Sequence, residues 1–181
     1  MTASTHSPRV ALYSHDTYGL GHLTRSTRIA AAVSRALPES SVLILTGSPV
    51  AHRFGFPPGV DYVKLPSVVK HGPERYRARD LAISPRRVLR MRSKIIVDTL
   101  DAYQPDLLLV DNVPLGMKGE LLPALERQRA RNRDVQIHLN LRDILDSPEV
   151  IYESWRSLGV LGVLDELYDA ERSFDQAWER A

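Results

Sequence analysis

Short, continuously apolar runs alternate along this chain with longer stretches whose apolar residues recur at helical spacing. Val10, Ala11, Leu12 and Tyr13 fill the run Arg9 to Ser14, the pattern of a strand buried on both faces. From Leu23 to Leu37, Ile29, Ala30, Val33 and Leu37 share one helical face, and Pro38 ends the helix. Ser41 to Thr46 reads as a second strand through Val42, Leu43, Ile44 and Leu45, and Asp61 to Leu65 as a shorter third one after the Pro- and Gly-rich connection Gly47 to Gly59. Pro66 to Ile83 is polar, basic and without periodicity, which predicts a long surface loop.

Ser84-Pro85 then opens a helix as cap and first-turn proline. Its predicted inward face is Val88, Met91, Ile95, Ile96, Thr99 and Leu100, with Arg86, Arg87 and Arg90 outward and a stop near Gln104-Pro105. Leu107 to Val110 make the clearest strand, Asp106 to Val110, ending in Asp111-Asn112. Glu120 to Arg131 reads as a helix with Pro123 in its first turn, Val135 to Leu141 as a fifth strand ending at Arg142-Asp143, and Ser147-Pro148-Glu149 as another helix start. Val160 to Ala181 has helical character but offers no evident core face.

This order predicts an α/β fold: a single Rossmann-like domain over residues 9–168, with a mostly parallel sheet of about five strands covered by helices on both faces. Residues 1–8 are expected to be a flexible N-terminus and 169–181 an acidic C-terminal tail. Ligands belong beyond the carboxyl ends of such strands.

Composition narrows the functional classes. The chain has 181 residues, 43% of them hydrophobic and 25% charged, as in ordinary globular proteins. No apolar run approaches the roughly 20 residues of a membrane span, and Met1 to Pro8 lacks a signal-peptide core, so a cytoplasmic location is expected. The absence of cysteine removes thiolate chemistry and disulfides. The six histidines show no His-x-x-x-His pair, so neither a metal nor another cofactor is indicated.

Net charge is only +2, yet it is unevenly spread. Lys70 to Arg92 carries eight basic and two acidic residues, whereas Asp143 to the end carries ten acidic and three basic ones. The basic stretch has two readings: a solvated helix face, or a contact for anionic lipid or a phosphate-bearing acceptor. Without aromatic platforms or a recognition motif, nucleic-acid binding is not expected.

Four polar or Gly-bearing segments fall at strand exits: Ser14 to His22, the residues after Thr46, Asp111-Asn112, and Asn140 to Asp143. Gly19-Leu20-Gly21-His22 is the most informative. Glycines between strand and helix permit a tight turn and close approach of a ligand to the backbone, although Thr24 breaks the dinucleotide-binding pattern and no Gly-Lys-Ser/Thr follows. His22, near the helix start, is a candidate base for a hydroxyl, because imidazole titrates near neutrality. Asp16 leaves the same turn and is a candidate orienter or alternative base. Ser14, His15 and Asp16 contain the letters of a hydrolytic triad, but adjacency in sequence does not make triad geometry. Asp111 and Asn112 suit either hydrogen bonding to acceptor hydroxyls or capping of the next turn, and Arg142 and Asp143 either reach the cleft or serve locally.

The run Tyr13-Ser14-His15-Asp16-Thr17-Tyr18-Gly19-Leu20-Gly21-His22-Leu23-Thr24-Arg25 resembles the first loop of predicted glycosyltransferases related to the MurG-type, GT-B fold enzymes. Val110 to Gly116, Gly119 to Leu122, and Leu141 to Asp146 are similar to the same group and occur in its order. The resemblance implies two Rossmann-like domains facing across a cleft, the first holding the acceptor and the second the nucleotide sugar. It implies that Gly19 and Gly21 belong to the flexible loop that meets the reactants, that His22 is the base or acceptor-positioning group, and that Arg25 is a basic position beside the loop. Thr24 stands where a second basic residue is expected, so no paired-arginine phosphate clamp is implied.

The donor-side signatures of that group are not found in these 181 residues. The expected function is therefore the acceptor-side half of a transferase that moves a glycosyl group from a nucleotide sugar to a hydroxyl when completed by a donor-binding domain or subunit. The alternatives are a non-catalytic binding or scaffold module, a truncated inactive product, and a different small α/β enzyme complete in itself.

Overall fold

The computed structural model describes residues 7–15, 21–71, 75–141, 155–156 and 160–173. Six strands form one sheet: β1 (Arg9–Ser14), β2 (Ser41–Thr46), β3 (Val60–Lys64), β6 (Leu107–Asp111), β7 (Gln136–Leu141) and β8 (Ala170–Ser173). Their order is β3-β2-β1-β6-β7-β8, and every neighbouring pair is parallel. Two further strands, β4 (Val68–Lys70) and β5 (Tyr76–Ala78), make a separate antiparallel pair. The described helices are α1 (Gly21–Ala36), α2 (Pro85–Tyr103), α3 (Leu122–Arg131) and α4 (Val160–Leu167).

Strand alternation divides the core into two layers. Val10, Leu12, Val42 and Ile44 point to one face, where Leu23 and Ala30 of α1 cover them. Ala11, Tyr13, Leu45, Leu108, Val110, Ile137 and Leu139 point to the other, against Ile96 and Leu100 of α2, Ala124 and Leu125 of α3, and Val160 and Leu164 of α4. The expected single α/β domain with helices on both faces is what forms. The chain order places the reversal between β1 and β6, the two central strands, so the crevice favoured for ligands lies where both leave the sheet.

Several local expectations change. The sheet gains a sixth strand, β8, inside the segment read as an acidic tail, because Asp169 anchors it: the Ile137 amide donates to the Asp169 carboxylate at 2.7 Å and Arg129 donates to it at 2.5 Å. Val160 to Leu167 has a core face after all. Pro66 to Ile83 is no featureless loop: Val68 and Ala78 of the β4–β5 pair bury against Val88 and Met117. The Ser84 cap is as expected, with the Arg87 amide donating to its hydroxyl at 3.3 Å. On α2, however, Met91 is 39% exposed, and the buried stripe is Val88, Arg92, Ile96 and Leu100. Leu37, expected on the inner face of the first helix, lies beyond the helix and is exposed.

Candidate functional site

The exits of β1 and β6 carry the polar groups. β1 ends in Ser14 and is followed by His15, both buried, and the next described residue, Gly21, begins α1. β6 ends in Asp111, 4% exposed, followed by Asn112 in the left-handed conformation (φ 63°). The Asn112 amide donates to the carbonyl of Asn140 at 2.9 Å, which ties the β6 exit to that of β7.

Asp111 is the hub. Its Oδ2 lies 2.5 Å from Nδ1 of His22, and its Oδ1 accepts from Arg25 Nη1 at 2.8 Å. One turn of α1 separates His22 from Arg25, so both side chains reach the same carboxylate from one helical face. An ionised carboxylate only accepts, so the His22 ring nitrogen that faces Asp111, Nδ1, is the donor of this contact. His22 and Arg25 keep side-chain exposures of 14% and 22%, so the dyad is accessible although its carboxylate is not.

His15 packs edge-on against His22, ring centroids 5.7 Å apart. Burial first, then the neighbouring His22, Arg92 and Lys70, push its pKa down to about 4 against the opposing pull of Asp111. It is therefore neutral at ordinary pH. Its Nδ1 and the Ser14 hydroxyl are both buried without a hydrogen-bond partner among the described residues, so Ser14 and His15 do not form the nucleophile–base bond of a hydrolytic triad.

A second polar cluster lies behind the site. Arg92 is fully buried and donates through Nε and Nη2 to Glu120 at 2.6 Å each, and through Nη1 to the carbonyl of Pro66 at 2.8 Å. The Tyr13 hydroxyl donates to Glu120 at 2.7 Å and accepts the Met117 amide at 3.2 Å. Burial, then the charge of Glu120, hold the Tyr13 pKa far above its ordinary value. Burial opposes charge on Arg92, but the bonds to Glu120 outweigh it and raise the pKa. Two glycines make room for this cluster. A Cβ on Gly47 would lie 2.5 Å from Arg92 Nη1, and one on Gly116 (φ 66°) would lie 2.8 Å from the Tyr13 hydroxyl.

Of the residues singled out from sequence, His22, Arg25 and Asp111 are brought into one bonded group, and Asn112 adjoins it. Gly21 opens α1, where nothing among the described residues lies within 4 Å of the place a Cβ would take. Asp16, Gly19 and Arg142 lie outside the described residues, as does Asp143. The carboxylate on His22 is Asp111, which arrives 89 residues later in the chain. One of its oxygens is engaged by His22 and the other by Arg25. Sequence reasoning missed Arg92, which reads as one more arginine of the basic stretch. The signal was its place four residues after Val88 and four before Ile96, on the apolar stripe.

Compared with protein-family models and with the curated proteins, the chain matches none.

Proposed function

We propose that this domain is the acceptor side of a sugar transferase, presenting a hydroxyl to the anomeric carbon of a nucleotide sugar held by a second domain or subunit. The observation that carries the reading is the 2.5 Å contact between His22 and the buried Asp111 at the central strand exits. The loop resemblance around Gly19, Gly21 and His22 supplies the reaction class.

In this mechanism Asp111 fixes the His22 ring and tautomer. Nε2 of His22 takes the proton of the acceptor hydroxyl as its oxygen bonds to the anomeric carbon, while the bond to the nucleotide diphosphate breaks and that group leaves with the electron pair. His22 becomes imidazolium beside Asp111, which stabilises it. The N-terminal amides of α1 and the positive end of its dipole favour the negative charge growing on the departing phosphates. Among the described residues nothing lies within 4 Å of the place a Cβ on Gly21 would take, which suits that approach.

The test is transfer assayed with a donor-binding partner. His22→Ala should lower turnover by about 100-fold or more while leaving the fold intact, and Asp111→Asn should lower it by losing the tautomer lock. Folded His22→Ala protein with undiminished transfer overturns the base assignment. Calorimetric titration of the chain alone with nucleotide sugars should show no saturable binding; saturation would place a donor site within this chain and replace the divided-labour reading.

A further inference from the structure

His22 and Asp111 sit where the strands leave the sheet. The opposite rim, where the strands begin, holds a cavity of about 300 Å³, enough for a small molecule. Its lining is Arg9, Asp101, Gln104, Gln128, Arg131 and Asn132. The fold explains why these six meet. Helices that connect parallel strands run back against them, so the C-terminal ends of the helices gather at the start of the strands. Arg9 opens β1, Asp101 and Gln104 lie at the end of α2, and Gln128, Arg131 and Asn132 lie at the end of α3.

Every one of these side chains is polar, and two buried atoms among them lack a hydrogen-bond partner among the described residues. Arg9 approaches Asp106 through Nη2 (3.7 Å), while its Nε is buried and unpaired. Asp101 holds Arg127 and Arg131 (3.0 Å) through Oδ2 alone, and its Oδ1 is buried and unpaired. Nε is a donor on a cation and Oδ1 an acceptor on an anion, and the two do not bond each other. Burying either atom without a partner is costly, the more so because each belongs to a charged group.

Gln104 carries a further cost at the same place. It ends α2 in the left-handed conformation (φ 50°, ψ 66°), where glycine is the favoured residue. The glutamine there keeps a strained backbone and brings a side-chain amide to the cavity. Gln128, only 5% exposed, brings a second. Strain and unpaired charged groups gathered around one small cavity are the pattern of a ligand site.

We infer that this cavity binds a small zwitterion of the α-amino acid class, with its carboxylate on Arg9 Nε and its ammonium on Asp101 Oδ1. An unpaired cationic donor and an unpaired anionic acceptor together complement a molecule that carries one charge of each sign. The amides of Gln104, Gln128 and Asn132 suit a polar side chain on that molecule. Arg9 faces Asp106, and Asp101 faces Arg127 and Arg131, so the charges at the rim largely cancel and favour neither a dianion nor a dication. The inference is independent of the transferase reading. The cavity lies at the other end of β1 and β6 from His22 and Asp111, so its occupant does not compete with an acceptor.

The experiment is calorimetric titration of the full chain with L-glutamine, L-asparagine, L-serine and L-alanine, and with propionate, ethylamine and glycerol. At least one amino acid should saturate a single site, with propionate and ethylamine at least about tenfold weaker, because each lacks one of the two charged groups. Arg9→Lys keeps a positive charge near Asp106 but removes Nε, and Asp101→Asn removes the anion. Each should lower the affinity at least about tenfold. Gln104→Gly should lower it too while raising Tm, since the backbone strain is relieved, which separates loss of the site from loss of the fold. His22→Ala should bind like the parent. Absence of saturation by all four amino acids overturns the proposal, as does full affinity in both Arg9→Lys and Asp101→Asn. Propionate binding as tightly as the best amino acid overturns it in favour of a simple anion, and glycerol doing so overturns it in favour of a neutral polyol.

Discussion

His15 shows how one side chain couples the site to stability. It is buried beside His22, and its pKa in the fold is about 4 against an ordinary 6.5. Above the ordinary value both folded and unfolded chains hold it neutral, so it contributes no pH dependence there. Below it the unfolded chain binds a proton that the folded chain refuses until about pH 4, so stability falls as pH drops through that window. The loss is on the order of 3 kcal/mol. Denaturant unfolding at neutral pH and near pH 4 should show this fall in the parent and a shallower one in His15→Gln. Parallel curves would mean that His15 is not the group responsible. At this scale the sequence was partly legible. Residue type and place at the strand exits marked His22 and Asp111 as chemical candidates, and Arg25 entered only through the loop resemblance, but nothing local revealed that a single carboxylate bonds both of the others. Nor did it show that His15 would be the buried imidazole, since burial depends on what the fold packs over a residue.

Between elements, the Arg92–Glu120–Tyr13 cluster pins the turn after β6 and the connection after β3 to the interior. Arg92 joins α2 to the Pro66 carbonyl, and Tyr13 joins β1 to the Met117 amide. Arg92→Met should destabilise the domain by about 3–5 kcal/mol, since it leaves Glu120 buried without its counter-charge. Arg92→Met/Glu120→Leu should cost less than the two single changes together, because no orphaned charge remains. Chemical denaturation of the four proteins tests this, and a cost below about 1 kcal/mol for Arg92→Met would show the pair to be dispensable. Elements with continuous or strictly periodic apolar patterns were legible: β1, β2, β6, β7, α1 and α2 all lie within a few residues of their expected bounds. The β4–β5 hairpin was not. Its strands are three residues each, too short to display alternation, and their burial comes from Val88 and Met117 far along the chain.

For the whole molecule, parallel pairing makes the centre of the sheet its most secure part. β1 is bonded on both sides, by β2 and β6, whereas β3 and β8 lie at the edges. Amide hydrogen exchange should therefore be slowest in β1 and β6, faster in β3 and β8, and faster again in the β4–β5 hairpin, which lies outside the main sheet. Exchange from β8 as slow as from β1 would contradict that ordering. β8 also marks the limit of local reading. Ala170 to Ser173 contains no apolar run, and it pairs with β7 because Asp169 caps the start of the strand through Ile137 and Arg129. The sequence by itself determined the alternation of buried strands and amphipathic helices, the α/β class, and the strand exits at which polar and glycine residues collect. Those are properties of spacing along the chain. Only the tertiary structure decided that Asp111 meets His22 and Arg25, that Arg92 is internal while its neighbouring arginines stay exposed, and that an acidic segment adds a strand. Each of these depends on groups distant in sequence meeting in space, and Arg92 can lie in the interior only because Glu120 is there to pair with it.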